Sequence, residues 1–325
     1  MIMKYIVIAI AAILVIACEK DNNTPSGSDV SVSMGPDYAN DVYYSLNNST
    51  SVEVSRTNWD IGFATYVMSP SIIINEGSGV KLYLLSADTV EYYRPVDTTG
   101  MSALTELHNS VDSWDVGAFS GNMGGGFNFG WGIYSMNTHN VNGAAIYLIR
   151  LRDGSVKKIF IRQKNGYQNT VYFLYANPDG SDAHTVALDN NNYSAKEYVF
   201  YSVSDNMAID REPAAENWDL LFTKYYDTQI NYLVTGVFTK PGITVAVVTG
   251  VNPESADTTM VQFSALKSAI GYDWKQFDMA TNQYSLVNDE SYFVKTASGN
   301  VWQIYFTNFE GASTGTIGFY RKQIK

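Results

Sequence analysis

Large apolar residues alternate with small or polar ones over much of the chain. Trp59, Ile61 and Phe63 alternate with Asp60, Gly62 and Ala64, which lays the bulky side chains on one face of a strand. Trp218, Leu220 and Phe222 repeat that period of two. Asp153-Gly154 and Ser298-Gly299, each flanked by β-branched and aromatic runs, predict hairpin turns. Long helices are absent from the pattern. Helical spacing is confined to residues 101–111, where Leu104, Leu107 and Val111 share a stripe, and to residues 260–270. An all-β chain of short antiparallel strands, with one or two short helices per domain, is the expectation.

The pattern occurs twice. "NWDIGFATY" at 58–66 and "NWDLLFTKY" at 217–225 share Asn58/Asn217, Trp59/Trp218, Asp60/Asp219, Phe63/Phe222 and Tyr66/Tyr225. Downstream, residues 129–141 align with 272–284 through Trp131/Trp274, Tyr134/Phe277, Met136/Met279 and Thr138/Thr281. Residues 146–161 align with 291–306, with Gly154 and Gly299 at the turn, and 170–175 align with 316–321. Element order holds while loop lengths drift, which reads as two tandem copies of one domain. The division is expected near residue 190, giving domains at 38–189 and 190–325. A remainder of about 290 residues is too long for one small core.

The ends carry a different message. Lys4 precedes a thirteen-residue apolar run, Tyr5 to Ala17, too short to span a bilayer but suited to a signal peptide over residues 1–17. The run ends in "VIAC", which resembles a lipobox and makes Cys18 the expected lipid-modified first residue. Cys18 is the only cysteine, so no disulfide supports the exported body. Residues 18–37 are polar, with Pro, Ser, Gly and Asn, and read as a flexible tether. Without Lys4, 20 basic residues face 32 acidic ones, a balance that opposes nucleic acid and flat docking on anionic lipid. Membrane attachment is therefore expected through the lipid alone.

Motifs for catalysis fail on context. "GASTG" at 311–315 fits Gly-x-Ser-x-Gly, but a strand-like segment follows Ser313 and no histidine lies beyond His184. "GNMGGGFNFG" at 121–130 lacks Gly-Lys-Ser/Thr and a following helix, so it reads as a loop rather than a phosphate cradle. His108, His139 and His184 are isolated, without zinc-ligand spacing. His139 is expected at a strand edge or loop, making one hydrogen bond. The expectation is a protein that is not an enzyme.

Taken together, the lipobox, the polar tether, "YYSL…NWDIGF", the Trp-x-x-aromatic segment and the glycine-turn hairpin ending in "IYFTNF" resemble the HmuY family of haem-binding lipoproteins. The resemblance covers about 197–325 and, more loosely, about 38–180. It implies an all-β fold, display on the outer membrane facing outward, and capture of haem for an outer-membrane haem transporter. The family's Trp-x-x-Phe-x-His ligand pattern corresponds here to Trp274-x-x-Phe277-x-Met279 and Trp131-x-x-Tyr134-x-Met136. Both copies thus place methionine where the family places an axial histidine, and a thioether is a soft ligand suited to haem iron. Met260 and Met101 occupy similar upstream places and are candidates for the second ligand, although matching the two "SAL" triplets instead pairs Met101 with Phe263; Lys275 and neighbouring tyrosines could meet the propionates. The alternative is a surface lipoprotein binding a glycan or a partner protein through a face rich in Tyr (24) and Trp (6).

Overall fold

The computed structural model describes residues 27–259 and 261–325. The expected leader, Cys18, the first part of the tether and Met260 lie outside the described residues. Strands β1 (Ser28–Ser33), β2 (Asn40–Ser45) and β3 (Thr50–Ser55) come first. β4 (Ile61–Ala64), β5 (Ile72–Ile74), β6 (Lys81–Ser86) and the two-residue β7 (Glu106–Leu107) follow. A short hairpin, β8 (Gly132–Ser135) with β9 (Asn140–Gly143), leads into β10 (Ile146–Arg150), β11 (Val156–Asn165) and β12 (Thr170–Ala176). Next come β13 (His184–Asp189), β14 (Tyr198–Ser202), β15 (Met207–Ile209), β16 (Leu220–Asp227), β17 (Tyr232–Thr239) and β18 (Thr244–Thr249). The chain closes with β19 (Lys275–Asp278), β20 (Gln283–Leu286), β21 (Glu290–Lys295), β22 (Val301–Phe309) and β23 (Thr316–Gln323).

The fold is all-β, as the alternation predicts, and every strand pair among the described residues is antiparallel. Two sandwiches form. In the first lobe a sheet of order β13-β12-β11-β10-β6-β7 faces a sheet of order β15-β14-β4-β5. Ile61, Phe63, Tyr147, Ile159, Phe173 and Tyr201 meet between them. In the second lobe β1-β23-β22-β21-β18 faces β3-β2-β16-β17, with Tyr44, Leu220, Phe222, Ile304 and Phe319 inside. The two smaller sheets turn their other faces toward each other. Trp59, Ile73 and Phe200 from one lobe, and Tyr43, Trp218 and Phe238 from the other, form clusters that share Trp114.

Strand pairing crosses the division expected at residue 190. The hairpin β2–β3, from the first half of the chain, pairs with β16 through Tyr44↔Leu220. The hairpin β14–β15, from the second half, pairs with β4 through Val199↔Phe63. Each half thus lends its first hairpin to the other's sheet, so contiguous domains at 38–189 and 190–325 do not describe the lobes. The tether is also shorter than expected. Residues 28–33 form β1, paired with β23, because Val30, Val32 and Met34 alternate with serine and glycine, and Val32 and Met34 are buried.

The exchange explains the repeated Asn-Trp-Asp. Asp60 Oδ2 accepts from Val203 N in the β14–β15 turn at 2.8 Å, and Asp219 Oδ2 accepts from Leu46 N in the β2–β3 turn at 2.8 Å. Each aspartate fastens the hairpin that arrives from the other half. Burial raises both carboxyls, and the turn N–H groups pull them back down. The predicted turns at Gly154 and Gly299 are present, with φ of 87° and 90°, which a glycine adopts at no steric cost.

Neither expected helix forms. Residues 101–103 make one 3-10 turn and Leu107 then joins β7 opposite Leu82. In 260–270, Ser264 exchanges backbone hydrogen bonds with Val245, and Lys267 O accepts from Thr239 N. Backbone groups that a helix would need are taken by neighbouring strands.

Candidate functional site

The β8–β9 hairpin stands off the large sheet of the first lobe and pairs with β11 only at Gln163 and Lys164. The 66–70 turn lies beside it. Between them is a cavity of about 190 Å³ lined by Met68, Phe127, Phe129, Tyr134, His139 and Val141, among others. Met68 (61%) and Phe127 (51%) are unusually exposed for apolar side chains, so this wall offers hydrophobic surface to solvent.

His139 sits in the β8–β9 turn with φ of 54° and makes the one hydrogen bond expected of it, Nδ1 to the Tyr134 hydroxyl at 2.7 Å. That contact orients the ring and engages Nδ1, the way a supporting group orients a ligating imidazole. Tyr167 packs edge-on against the same ring, with centroids 5.5 Å apart. The floor is held by Lys164, buried on β11. Its Nζ donates to Ala64 O at 3.1 Å, Tyr66 O at 2.8 Å and Ser69 O at 2.6 Å. Burial lowers this ammonium to about 7. Its three donors are spent on carbonyls, so Lys164 shapes the 64–69 turn and is not free to meet a ligand carboxylate.

The expected methionines lie apart from that arrangement. Met136 is 65% exposed in the β8–β9 turn, and Met279 is 89% exposed in the turn between β19 and β20. Met101 begins a 3-10 turn and is partly buried. Neither Met136 nor Met279 lines the cavity beside β8–β9. Trp274 and Met279 do not share a pocket. Trp274 is buried and stacked on Phe306 at 3.9 Å, whereas Met279 projects from the hairpin tip. Lys275 is not available to propionates. Its Nζ is buried and donates to Thr235 O at 2.5 Å and Tyr272 O at 3.2 Å, over the face of Trp274.

Met68, Phe127 and Tyr167 escaped the sequence reading. Their signal was faint: an isolated methionine before Ser-Pro, and aromatics in glycine- and asparagine-rich loops. The Ser313 hydroxyl donates to Glu310 O at 2.8 Å within a 3-10 turn, which is not a nucleophile elbow. Among the described residues no cluster of three or more His, Cys, Asp or Glu could hold a metal ion, and no helix is long and apolar enough to cross a membrane.

No family model and no curated protein matches the chain. Two solved structures are similar to parts or most of it. Apo PinO from Porphyromonas gingivitis aligns over 93% of this chain and 99% of its own, at 10% identity and a TM-score of 0.34. A protein from Bacteroides vulgatus, described as a candidate HmuY-like heme binding protein, aligns over 47% of this chain and 90% of its own, at 18% identity and a TM-score of 0.23. At these scores neither likeness assigns a function to the chain.

Proposed function

We propose that this chain is a non-enzymatic haem-binding lipoprotein, anchored through Cys18 on the outward face of the outer membrane, that passes haem to an outer-membrane transporter. The observation that carries the reading is the aromatic and thioether-lined cavity beside β8–β9, with an oriented imidazole on its rim. It lies on the segment whose Trp131-x-x-Tyr134-x-Met136 spacing resembles the family's ligand pattern. At about 190 Å³ it takes one edge of a porphyrin, and the exposed faces of Met68 and Phe127 cover part of the rest. His139 and Met68, both on the cavity lining, are the iron ligands of this proposal, with Met136 on the same hairpin as the substitute. The second lobe supports the reading less, because Met279 stands in solvent and Lys275 is occupied.

The test is titration with haem, followed through the Soret and low-spin bands, in wild type and in His139→Ala, Met68→Ala, Met136→Ala and Met279→Ala. Expected is a saturable Soret band that shifts or weakens with changes around β8–β9 and is unaffected by Met279→Ala. Absence of binding by wild type overturns the reading. Loss with Met279→Ala alone moves the site to the second lobe.

A further inference from the structure

A second cavity lies where the two smaller sheets face each other, remote in character from the haem pocket. It has a volume of about 70 Å³, and its walls include Tyr43, Trp59, Trp114, Arg211, Trp218 and Lys267. A single water needs on the order of 10–15 Å³ of such space, so the cavity suits a few water-sized species. Its polar atoms are unevenly satisfied. Trp59 Nε1, Arg211 Nε and Trp218 Nε1 are buried and have no hydrogen-bond partner among the described residues. Trp59, Arg211 and Trp218 are 8%, 7% and 2% exposed.

All three orphaned atoms on these walls are donors. Trp59 and Trp218 are the tryptophans of the repeated Asn-Trp-Asp, one from each lobe. The Arg211 guanidinium lies 5.6 Å from the Trp59 ring centre on the first-lobe side and reaches across to Asp41 Oδ2 of the second lobe at 2.7 Å. Leaving a buried donor without an acceptor carries the full cost of its desolvation. A water could accept from two of them, but its own two protons would then need acceptors. Each oxygen of two wall carboxylates already holds one bond, Asp41 from Arg211 and Thr223 and Glu212 from the N–H groups of Glu197 and Tyr198, so a water would have to add a second bond to an engaged oxygen. An anion requires donors only.

Charge around the cavity is compatible with that occupant. Lys267 Nζ lies 4.6 Å over Trp114 and 4.5 Å over Phe238, bringing a cation to the wall. Glu76, also on the wall, is tied to His108 Nδ1 at 2.7 Å. Burial raises the Glu212 carboxyl to about 8, so at neutral pH it adds little negative charge.

We propose that the cavity between the lobes binds a small monovalent anion, of halide, nitrate or formate size, on the N–H groups of Trp59, Arg211 and Trp218. The anion bridges the exchanged halves, so its binding is read as added stability of the whole chain.

The experiment titrates the mature chain with sodium bromide, nitrate or formate at fixed ionic strength, with sodium sulfate as the balancing salt, and follows the melting temperature and tryptophan fluorescence. Expected is a saturable rise in melting temperature that sulfate does not reproduce. Trp59→Phe and Trp218→Phe keep the ring and remove the N–H, and each should weaken binding about tenfold, the loss of a hydrogen bond to a charged group. Trp302→Phe, whose indole donates to Asn47 outside the cavity, should bind as wild type does. If one of the cavity variants fails to fold, the other decides. Crystals grown in bromide should show anomalous density between Trp59 and Trp218. No saturable response beyond sulfate, unchanged affinity in the folded Phe variants, or water alone in the bromide crystals overturns the proposal. Haem binding is measured separately, so failure of one proposal leaves the other standing.

Discussion

Arg211 joins the lobes through a buried ion pair, and its replacement gives a measurable test of the exchanged architecture. Arg211 follows β15, within the hairpin that joins the first lobe, and Asp41 lies on β2, within the hairpin that joins the second. Arg211 Nη2 reaches Asp41 Oδ2 at 2.7 Å with the two side chains only 3% and 4% exposed. The guanidinium also donates to Ser55 O at 3.1 Å and packs 5.0 Å from the Phe200 ring. Arg211→Met keeps much of the packing and leaves Asp41 with Thr223 as its hydrogen-bond partner, at 2.8 Å. An uncompensated buried carboxylate of this kind costs about 3–5 kcal/mol. Urea slopes rise with the surface exposed on unfolding, so with a slope of about 3 kcal/mol per molar the midpoint should fall by roughly 1 M or more. Asp41→Asn in the Arg211→Met background removes the stranded charge and should restore a large part of that loss. The readout is equilibrium urea unfolding by tryptophan fluorescence and circular dichroism on the same samples. A midpoint change below about 0.3 M, or a double variant no more stable than Arg211→Met, would refute the reasoning.

Further outcomes follow from other contacts. Cleavage in the turn between β12 and β13 should leave both fragments associated on size exclusion, because β2–β16 and β4–β14 pairs span the cut; free, separately folded halves would contradict the pairing. Gly77→Ala would place a Cβ 2.0 Å from Lys224 O, backbone that cannot give way cheaply, and should lower the melting temperature by several degrees. Burial raises the Glu212 carboxyl to about 8 in the folded chain, so the folded state holds that proton more tightly than the unfolded one. Its contribution is full below the ordinary carboxylate range and lost as pH rises through about 8; Glu212→Gln should flatten that decline, measured as melting temperature between pH 5 and 8.5. Cys18→Ala should move the protein from the membrane fraction to the soluble one on fractionation.

Strand periodicity was legible because it is local. Trp59-x-Ile61-x-Phe63 specifies one buried face whichever sheet receives it, and Gly154 and Gly299 mark turns by their own backbone freedom. Partner choice was not legible. Nothing in β2 states that it will pair with β16 rather than β4, since Phe63 and Phe222 offer the same apolar face and both are 1% exposed. The selecting contacts are long-range: Asp219 on the Leu46 turn, Asp60 on the Val203 turn, and Arg211 on Asp41. The two helical stripes misled for a related reason. Leu107 at helical spacing from Leu104 serves equally well as a single strand residue opposite Leu82. At the site, the repeated Trp-x-x-aromatic-x-Met spacing marked two equivalent segments, which the structure folds as the β8–β9 and β19–β20 hairpins. It could not show that Met279 ends in solvent, because a turn residue's exposure depends on what packs over the turn.

The exchange of hairpins also constrains how any ligand is taken up. A protein whose lobes meet only through a linker can open and close on a hinge. Here each lobe is completed by a hairpin from the other half of the chain, and parting the lobes would strain the connections into β4 and β16 and expose the Arg211–Asp41 pair. Capture by lobe closure therefore conflicts with the strand order. The adjustable parts are those with one-sided support: the β8–β9 hairpin, which pairs with β11 through only two residues, and the β19–β20 hairpin, which pairs with no other strand among the described residues. Of these, β8–β9 has an apolar cavity beneath it and an oriented histidine at its turn. A ligand entering there would need to shift one hairpin against a fixed floor, with Lys164 holding the 64–69 turn on three carbonyls. On this argument, binding at the first-lobe pocket should raise hydrogen-exchange protection in residues 127–142 while leaving β14 and β16 unchanged. Protection that spreads to both lobes would mean that they do move against each other.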